Sequence, residues 1–585
     1  MVDETTVGRE PVQIVEIDQD LCDNTYGTLP CTAVLGVSGS DRCFNTRKTC
    51  QDPLNYVQSP LTLRFVKAAA NNSKTDYLIP SLVSVSTSPT VINAGNGLSN
   101  SKPLGMRATL TATFSDHPHS DLVVDPYQDQ RSYIATDRST FWAKWLARNP
   151  YYQNRTIRVK DGYQGQSIAS MTTRTYIIDQ ITGPDANGRV TVKAKDILAL
   201  VDNKKATAPL VSAGELIADV TDSATTLRIT GALAAEYPAP GTVRMGDEVA
   251  TYTGVSTISP TEINLTGCTR GTDGTTADSQ TAGDRVQLCL RYTTTNAVDI
   301  ADELLTTYGS VDPSFINSTE WNAERDTWLS QFTVSSLITE PTGVTDLLAE
   351  LTEQCLFYIW WDEREQEIKL KAIRPATETP VVLNDASHLI EGSTAISENP
   401  TERISQVWVF RGQEDPTKAL DDEKNYTNLR VRAALDEESA DLYGEQVIRR
   451  IFSRWLTSGA QSITLGTRLL ARYKNNPQYL TVTLDAKDRA LWTGDIVDVT
   501  HRNIVDEFGE PIETRYQVIT AEESDSGHRV KYKMVRFEFT GNFAFWMVNA
   551  APVFTSASDA EKASGMWWSD DDGLMSDLTP GYKWQ

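Results

Sequence analysis

The sequence predicts a β-rich α+β protein of several domains. Three observations lead there: short alternating apolar and polar runs recur along most of the chain, turn signals separate them, and helical periodicity is confined to a few patches. At 585 residues the chain exceeds what one hydrophobic core organises, and about 150 residues per domain gives roughly four domains. An apolar content of 40% with 23% charged residues is that of a folding chain.

Residues 1–56 carry four of the seven cysteines, Cys22, Cys31, Cys43 and Cys50, in loops too short and polar for a core of their own. Something other than burial must hold this segment together. Residues 57–210 read as the first part of a β-rich domain, with strand runs TLTATFSD, TIRVKDGY, TRTYIIDQI and RVTVKAKDIL. A helix is expected around 140–148, with Phe141, Trp145 and Leu146 on one face and its stop at Asn149-Pro150. Residues 211–290 turn Thr-, Ala- and Gly-rich around TTLRIT, TVRMGDEVATYTG, TEINLTG and DRVQLCL, and read as a small inserted β-domain.

An α/β domain follows over 291–400. Val298, Ala301, Leu304 and Leu305 repeat at helical spacing as far as Gly309, and Val344, Leu347, Leu348 and Leu351 fall at i, i+3, i+4 and i+7. CLFYIWW and EIKLKAI then flank the turn DEREQE. Residues 401–550 read as a further domain: a strand QVWVFRG, a largely helical stretch over 438–475, and a late β-set from YLTVTLDA to VKYKMVRFEFT. The last segment, 551–585, is an extended acidic tail whose Trp567, Trp568 and Trp584 are expected to dock on a partner.

A net charge of −24 opposes a large phosphate-binding surface, yet suits a conduit through which DNA slides without sticking. The first twenty residues lack a basic region followed by an apolar run, and no stretch approaches 18 apolar residues, so neither secretion nor stable membrane insertion is expected. Synthesis in a reducing cytoplasm makes clustered thiols metal ligands more often than disulfides.

Catalytic signals are missing. The chain has no Walker loop, no HExxH and no nucleophile motif beside His388, His501 or His528. SDHPHSD, with Asp116, His117, His119 and Asp121, has the elements of a metal site, but Pro118 makes it a loop and a solvated or capping cluster is expected. Glu363 with Glu365, and the run 570–572, read as exposed charge rather than glycosidase acids. Cys268 and Cys289 read as small buried residues and Cys355 as core. The protein is therefore expected not to be an enzyme.

EIDQDLCDNTYGTLPC, continuing to CFNTRKTCQDPLNY, resembles the start of a family of phage tail proteins, the tail-tip or baseplate hubs of siphophages and related gene transfer agents. Three later stretches add to the likeness in the same order. These are VDPYQDQRSYIATDRSTFWAKWLARNPYYQNRTIRVKDGY, MGDEVATYTG with LTGCTRGTDGTTADSQTAGDRVQ, and LLARYKNNPQYLTVTLDAKDRALWTGDIVDVTHRNIVDEFGEP. Together they cover about half the chain. The resemblance implies tube-like β-barrel hub domains and a homotrimer at the tail tip of the virion. It also implies contacts with the distal tail protein, the tape measure protein and a central fibre protein, DNA only in transit during ejection, and an iron–sulfur cluster on the four cysteines.

The spacing of Cys22, Cys31, Cys43 and Cys50, with 8, 11 and 6 residues between them, lacks the paired knuckles of a zinc ribbon. Wide loops must wrap around the centre, which suits a cubane 4Fe–4S cluster with one thiolate per iron. A four-cysteine zinc site, disulfides or free thiols are the alternatives. Tyr26, Phe44 and Tyr56 are positioned to shield the centre. No flavin, nicotinamide or second-cluster motif offers an electron path, so the centre is expected to be structural. A receptor- or glycan-binding adhesin is the rival for the whole chain, but its tandem β-repeats and fibre-like low complexity are absent. An iron–sulfur enzyme is a second rival.

Overall fold

Seven strands close into a barrel in the computed structural model, which describes residues 5–6, 8–68, 77–93, 104–202, 206–374, 379–432, 446–525 and 527–537. They are β1 (Pro11–Cys22), β2 (Gln58–Lys67), β3 (Ile79–Ser88), β4 (Thr109–Ser115), β5 (Thr156–Tyr163), β6 (Thr172–Thr182) and β7 (Arg189–Lys195), in the order β1-β2-β3-β4-β7-β6-β5. Strand β1 closes the ring: its Ile17 faces Leu63 of β2 on one side and Ile157 of β5 on the other. Alternation along each strand sends Val15, Ile17, Leu63, Phe65, Phe114, Ile157, Val159, Val190 and Val192 into one core.

Helix α1 (Phe141–Arg148) plugs this core with Phe141, Trp142 and Trp145. Trp142 stacks on Phe65 with ring centroids 5.4 Å apart, and Trp145 Nε1–H donates to Gln19 Oε1 at 2.8 Å. A barrel of this size is filled by its own side chains and holds no channel. Two expectations change here. Trp142, absent from the predicted face, is fully buried while Leu146 is half-buried, because a short plug is covered on two sides. Segment 1–56 is not separate from 57–210 either, since its strand β1 is a barrel stave.

The stretch expected to be an insert forms two small sheets. One runs in the order Gly254–Ser259, Glu262–Thr266, Thr226–Thr230, Glu215–Leu216, and the other in the order Glu248–Tyr252, Gly241–Met245, Gln287–Leu288. They share a core of Leu227, Ile229, Val243, Met245, Tyr252, Ile263 and Leu265. Helices α2 (Ala297–Glu303), α3 (Ser318–Trp328) and α4 (Val344–Gln354) follow, with the hairpin Phe357–Asp362 and Glu367–Ala372.

The core formed by these helices and the hairpin continues without a break into 404–473, so residue 400 is not a core boundary. Over 438–475 the expected helix is confined to Gly459–Tyr473 among the described residues. Ahead of it, Ile448–Phe452 is a strand, paired in parallel with Gln406–Arg411 and burying Ile451.

Val381–Asn384 and Ala395–Glu398 edge a late six-stranded sheet with Ile496–Val505, Pro511–Asp525, Arg529–Arg536 and Gln478–Asp485. Tyr163 Oη–H donates to the Gly527 carbonyl at 2.8 Å and Arg9 pairs with Asp485 at 3.0 Å, joining this sheet to the first barrel. The architecture is β-rich α+β, with several sheets and few helices. Among the described residues no helix is long and apolar enough to cross a membrane.

Candidate metal centre

Strand β1 ends on Cys22, whose register partner is Gln58 at the start of β2. The cysteine loop, 23–57, is therefore an excursion between two paired strands, closed at its base by Asp23 N–H on the Val57 carbonyl at 2.8 Å. It contains little regular structure: single turns at Arg47–Thr49 and Pro53–Asn55. Several of its large aliphatic residues face outward, with Leu29 83%, Val37 83% and Leu54 96% exposed. The core it does form is Tyr26, Ala33 and Cys43 with Tyr127. Burial of that size is too small to order the loop.

The four cysteines line one pocket, together with Asn24, Tyr26, Asn45, Asp52 and Asn55. Asp52 N–H points at Cys50 Sγ at 3.4 Å, and Cys43 Sγ lies 3.4 Å from Asn45 Oδ1. Burial pushes the Cys43 and Cys50 thiols up, and the charges of the other cysteines add to it. Four thiolates in mutual electrostatic reach repel one another unless a cation sits among them. All seven cysteines are free thiols. Among the described residues no group of three or more His, Cys, Asp or Glu side chains is drawn in closely enough to hold a metal ion. The pocket thus brings the four cysteines to one lining, with Asp52 beside them.

The surrounding residues explain the loop's placement. Asp52 Oδ2 accepts Thr32 N–H at 2.7 Å and Thr32 Oγ1–H at 2.9 Å, tying the Cys31 turn to the Cys50 turn. Arg131, outside the loop, donates to the carbonyls of Arg42 at 2.6 Å and Cys43 at 3.0 Å while both Asp125 oxygens hold its guanidinium. Tyr127 Oη accepts Tyr26 N–H at 2.9 Å.

Of the expected shields, Tyr26 lines the pocket, its hydroxyl donating to Gln51 at 2.7 Å. Tyr56 is half-buried near Cys22 and Cys50, with burial pushing its phenol up to about 12. Phe44 instead lies between the guanidiniums of Arg131 and Arg148, each 4.0 Å from its ring centroid. Sequence reasoning missed Asn45, Asp125 and Arg131. Asn45 lies two residues after a cysteine, which is a usable signal, whereas nothing local marks Arg131.

The remaining candidates resolve as follows. Asp116 Oδ1 accepts Trp142 N–H at 2.9 Å and so caps α1, while Asp121 is buried against Lys144 at 2.7 Å and Arg148 at 2.8 Å. His119 Nδ1 accepts Asp121 N–H at 3.0 Å. Lys144 and Arg148 thus engage both carboxylate oxygens of Asp121, and one ring nitrogen of His119 is already bonded. Cys268, Cys289 and Cys355 are buried; burial pushes the Cys289 thiol up to about 12. Glu365 is exposed as expected, but Glu363 is 2% exposed, because its turn docks on the barrel through Thr175 N–H to the Glu363 carbonyl at 3.1 Å. Trp567, Trp568, Trp584 and the acidic run 570–572 lie outside the described residues.

No protein-family model matches the chain. No curated protein matches it either. Solved structures do. The tail protein from Neisseria meningitidis is similar at 10% identity and a TM-score of 0.37, covering 74% of this chain and 88% of that one. The 43 kDa tail protein of prophage MuSo2 from Shewanella oneidensis is similar at 12% identity and a TM-score of 0.36, covering 78% and 99%. A chain of the native gene transfer agent virion is similar at 12% identity and a TM-score of 0.30, covering 58% and 92%. Likenesses at such identities and TM-scores assign no role to this chain and nothing to the cysteine loop.

Proposed function

We propose that this chain is a structural, non-catalytic hub of a bacteriophage tail tip, with Cys22, Cys31, Cys43 and Cys50 holding an iron–sulfur cluster as a staple. The ordered sequence resemblance carries the hub, and the observation that carries the cluster is the pocket: four thiols, contributed by a loop with almost no core, line one pocket at the end of a barrel stave. Four-thiolate ligation would close three loops and supply the cohesion that burial does not. The sequence spacing of 8, 11 and 6 residues between the cysteines lacks the paired knuckles of a zinc ribbon and suits a cluster of several irons.

The barrel interior is packed with aromatic rings, so any conduit for DNA must lie between copies of the chain rather than through one barrel. This supports a ring assembly, read here as a homotrimer. It joins the tube to a central fibre protein, contacts the distal tail protein and tape measure protein, and opens to release the tape measure and DNA. The acidic charge suits a wall along which DNA passes without adhering. The tail over 551–585, through Trp567, Trp568 and Trp584, docks on a neighbouring subunit or the fibre.

Antibody labelling of purified particles under the electron microscope tests the location. Label is expected at the end of the tail distal to the head. Label along the shaft, on the capsid or nowhere would count against the hub. Deleting residues 556–585 is expected to block tip assembly without unfolding the body, and normal infectious particles would refute the docking role.

A further inference from the structure

We infer that Asn45 is a positioning residue for the cysteine centre, an inference that rests on the metal reading above. Asn45 is 7% exposed and makes contacts to two of the four cysteines. Its backbone carbonyl accepts Cys22 N–H at 2.6 Å, its Nδ2–H donates to the Cys22 carbonyl at 3.2 Å, and its Oδ1 lies 3.4 Å from Cys43 Sγ. Asn45 thus ties the backbone of Cys22 to the side chain of Cys43 across the base of the loop. The residue stands at φ +54°, in the left-handed region that Asn enters more readily than other side-chain-bearing residues.

A carboxamide can offer either an acceptor or a donor to the Cys43 sulfur. An aspartate of the same shape offers acceptors only, and places a negative charge against a thiolate.

The full chain, purified without oxygen as wild type, Asn45→Asp and Asn45→Gly, is reconstituted with ferrous iron and sulfide. Bound iron, bound sulfide and the visible thiolate-to-iron spectrum are then read. Glycine keeps the left-handed backbone and the bond to Cys22 N–H, so it separates the side chain's role from that of the turn. The aspartate variant is expected to bind iron about ten- to a hundredfold more weakly. The glycine variant should load to an intermediate level with shifted bands, and the far-ultraviolet circular dichroism of all three should coincide. An aspartate variant that loads like wild type, with the same spectrum, overturns the inference. A wild type that takes up neither iron nor sulfide removes the metal reading and this inference with it, and is told apart because the failure then appears in the unmodified chain.

Discussion

Arg131 donates to the carbonyl of Cys43 at 3.0 Å, while its other nitrogens are held by Asp125 and the Arg42 carbonyl. This single guanidinium bolts the cysteine loop to the segment between β4 and α1, and both charges of the pair are nearly fully buried. The position of the thiols is therefore set from outside the loop as well as within it.

Replacing Arg131 by alanine strands Asp125 as an unpaired buried carboxylate, a change that costs about 3 to 5 kcal/mol. The expected outcome is early proteolytic cutting within 23–57 at temperatures where the rest of the chain resists. Unchanged cutting would show that the loop holds without its external bolt.

Trp142→Ala removes the plug residue that stacks on Phe65 and should destabilise the barrel by about 3 to 5 kcal/mol. Chemical denaturation followed by circular dichroism measures it. A loss under about 1 kcal/mol would mean that α1 does not complete the core.

Much of this barrel was legible in the sequence, because β4, β5, β6 and β7 alternate cleanly and turn residues separate them. Strand β1 was not read as a strand, and its alternation is interrupted by the carboxylates Glu16, Asp18 and Asp20. In the fold they meet Arg64, Arg155 and Arg158 on the barrel exterior while Val15 and Ile17 point inward. Helix α3 was missed because it buries a single large residue, Trp321, although Asn317, accepting Glu320 N–H, leaves a cap signal. At the site the four cysteines stood out in the sequence, and the fold lines one pocket with them. Asp125 and Arg131 did not, because a contact between residues almost 90 positions apart in sequence leaves no local pattern.

Glu363 makes stability depend on pH. Burial pushes its carboxyl up from 4.5 to about 7, so between these values the folded chain binds more protons than the unfolded one. Its contribution is favourable below 4.5 and is lost as pH rises to about 7. Glu363→Gln should therefore match wild type at acid pH and exceed it at pH above 7 by up to about 3 kcal/mol. Equal unfolding midpoints across the whole range would contradict this.

Gly274 stands at φ +77°, and a Cβ there would meet the Glu414 carbonyl oxygen at 2.1 Å. Gly274→Ala should cost about 1 to 2 kcal/mol in backbone strain, with the clash in addition. Amide hydrogen exchange is expected to rise over 272–275 and 414–416 while the small β-domain's own sheets keep their protection. Protected amides at both places would refute the contact.

The central claim is that Cys22, Cys31, Cys43 and Cys50 hold a structural iron–sulfur cluster. Iron, acid-labile sulfide and zinc analysis of the full chain purified without oxygen tests it most directly. Iron and sulfide in equal amounts, both lost when any one of the four cysteines is replaced by alanine, is the predicted result; zinc without sulfide, or no metal at all, would contradict it.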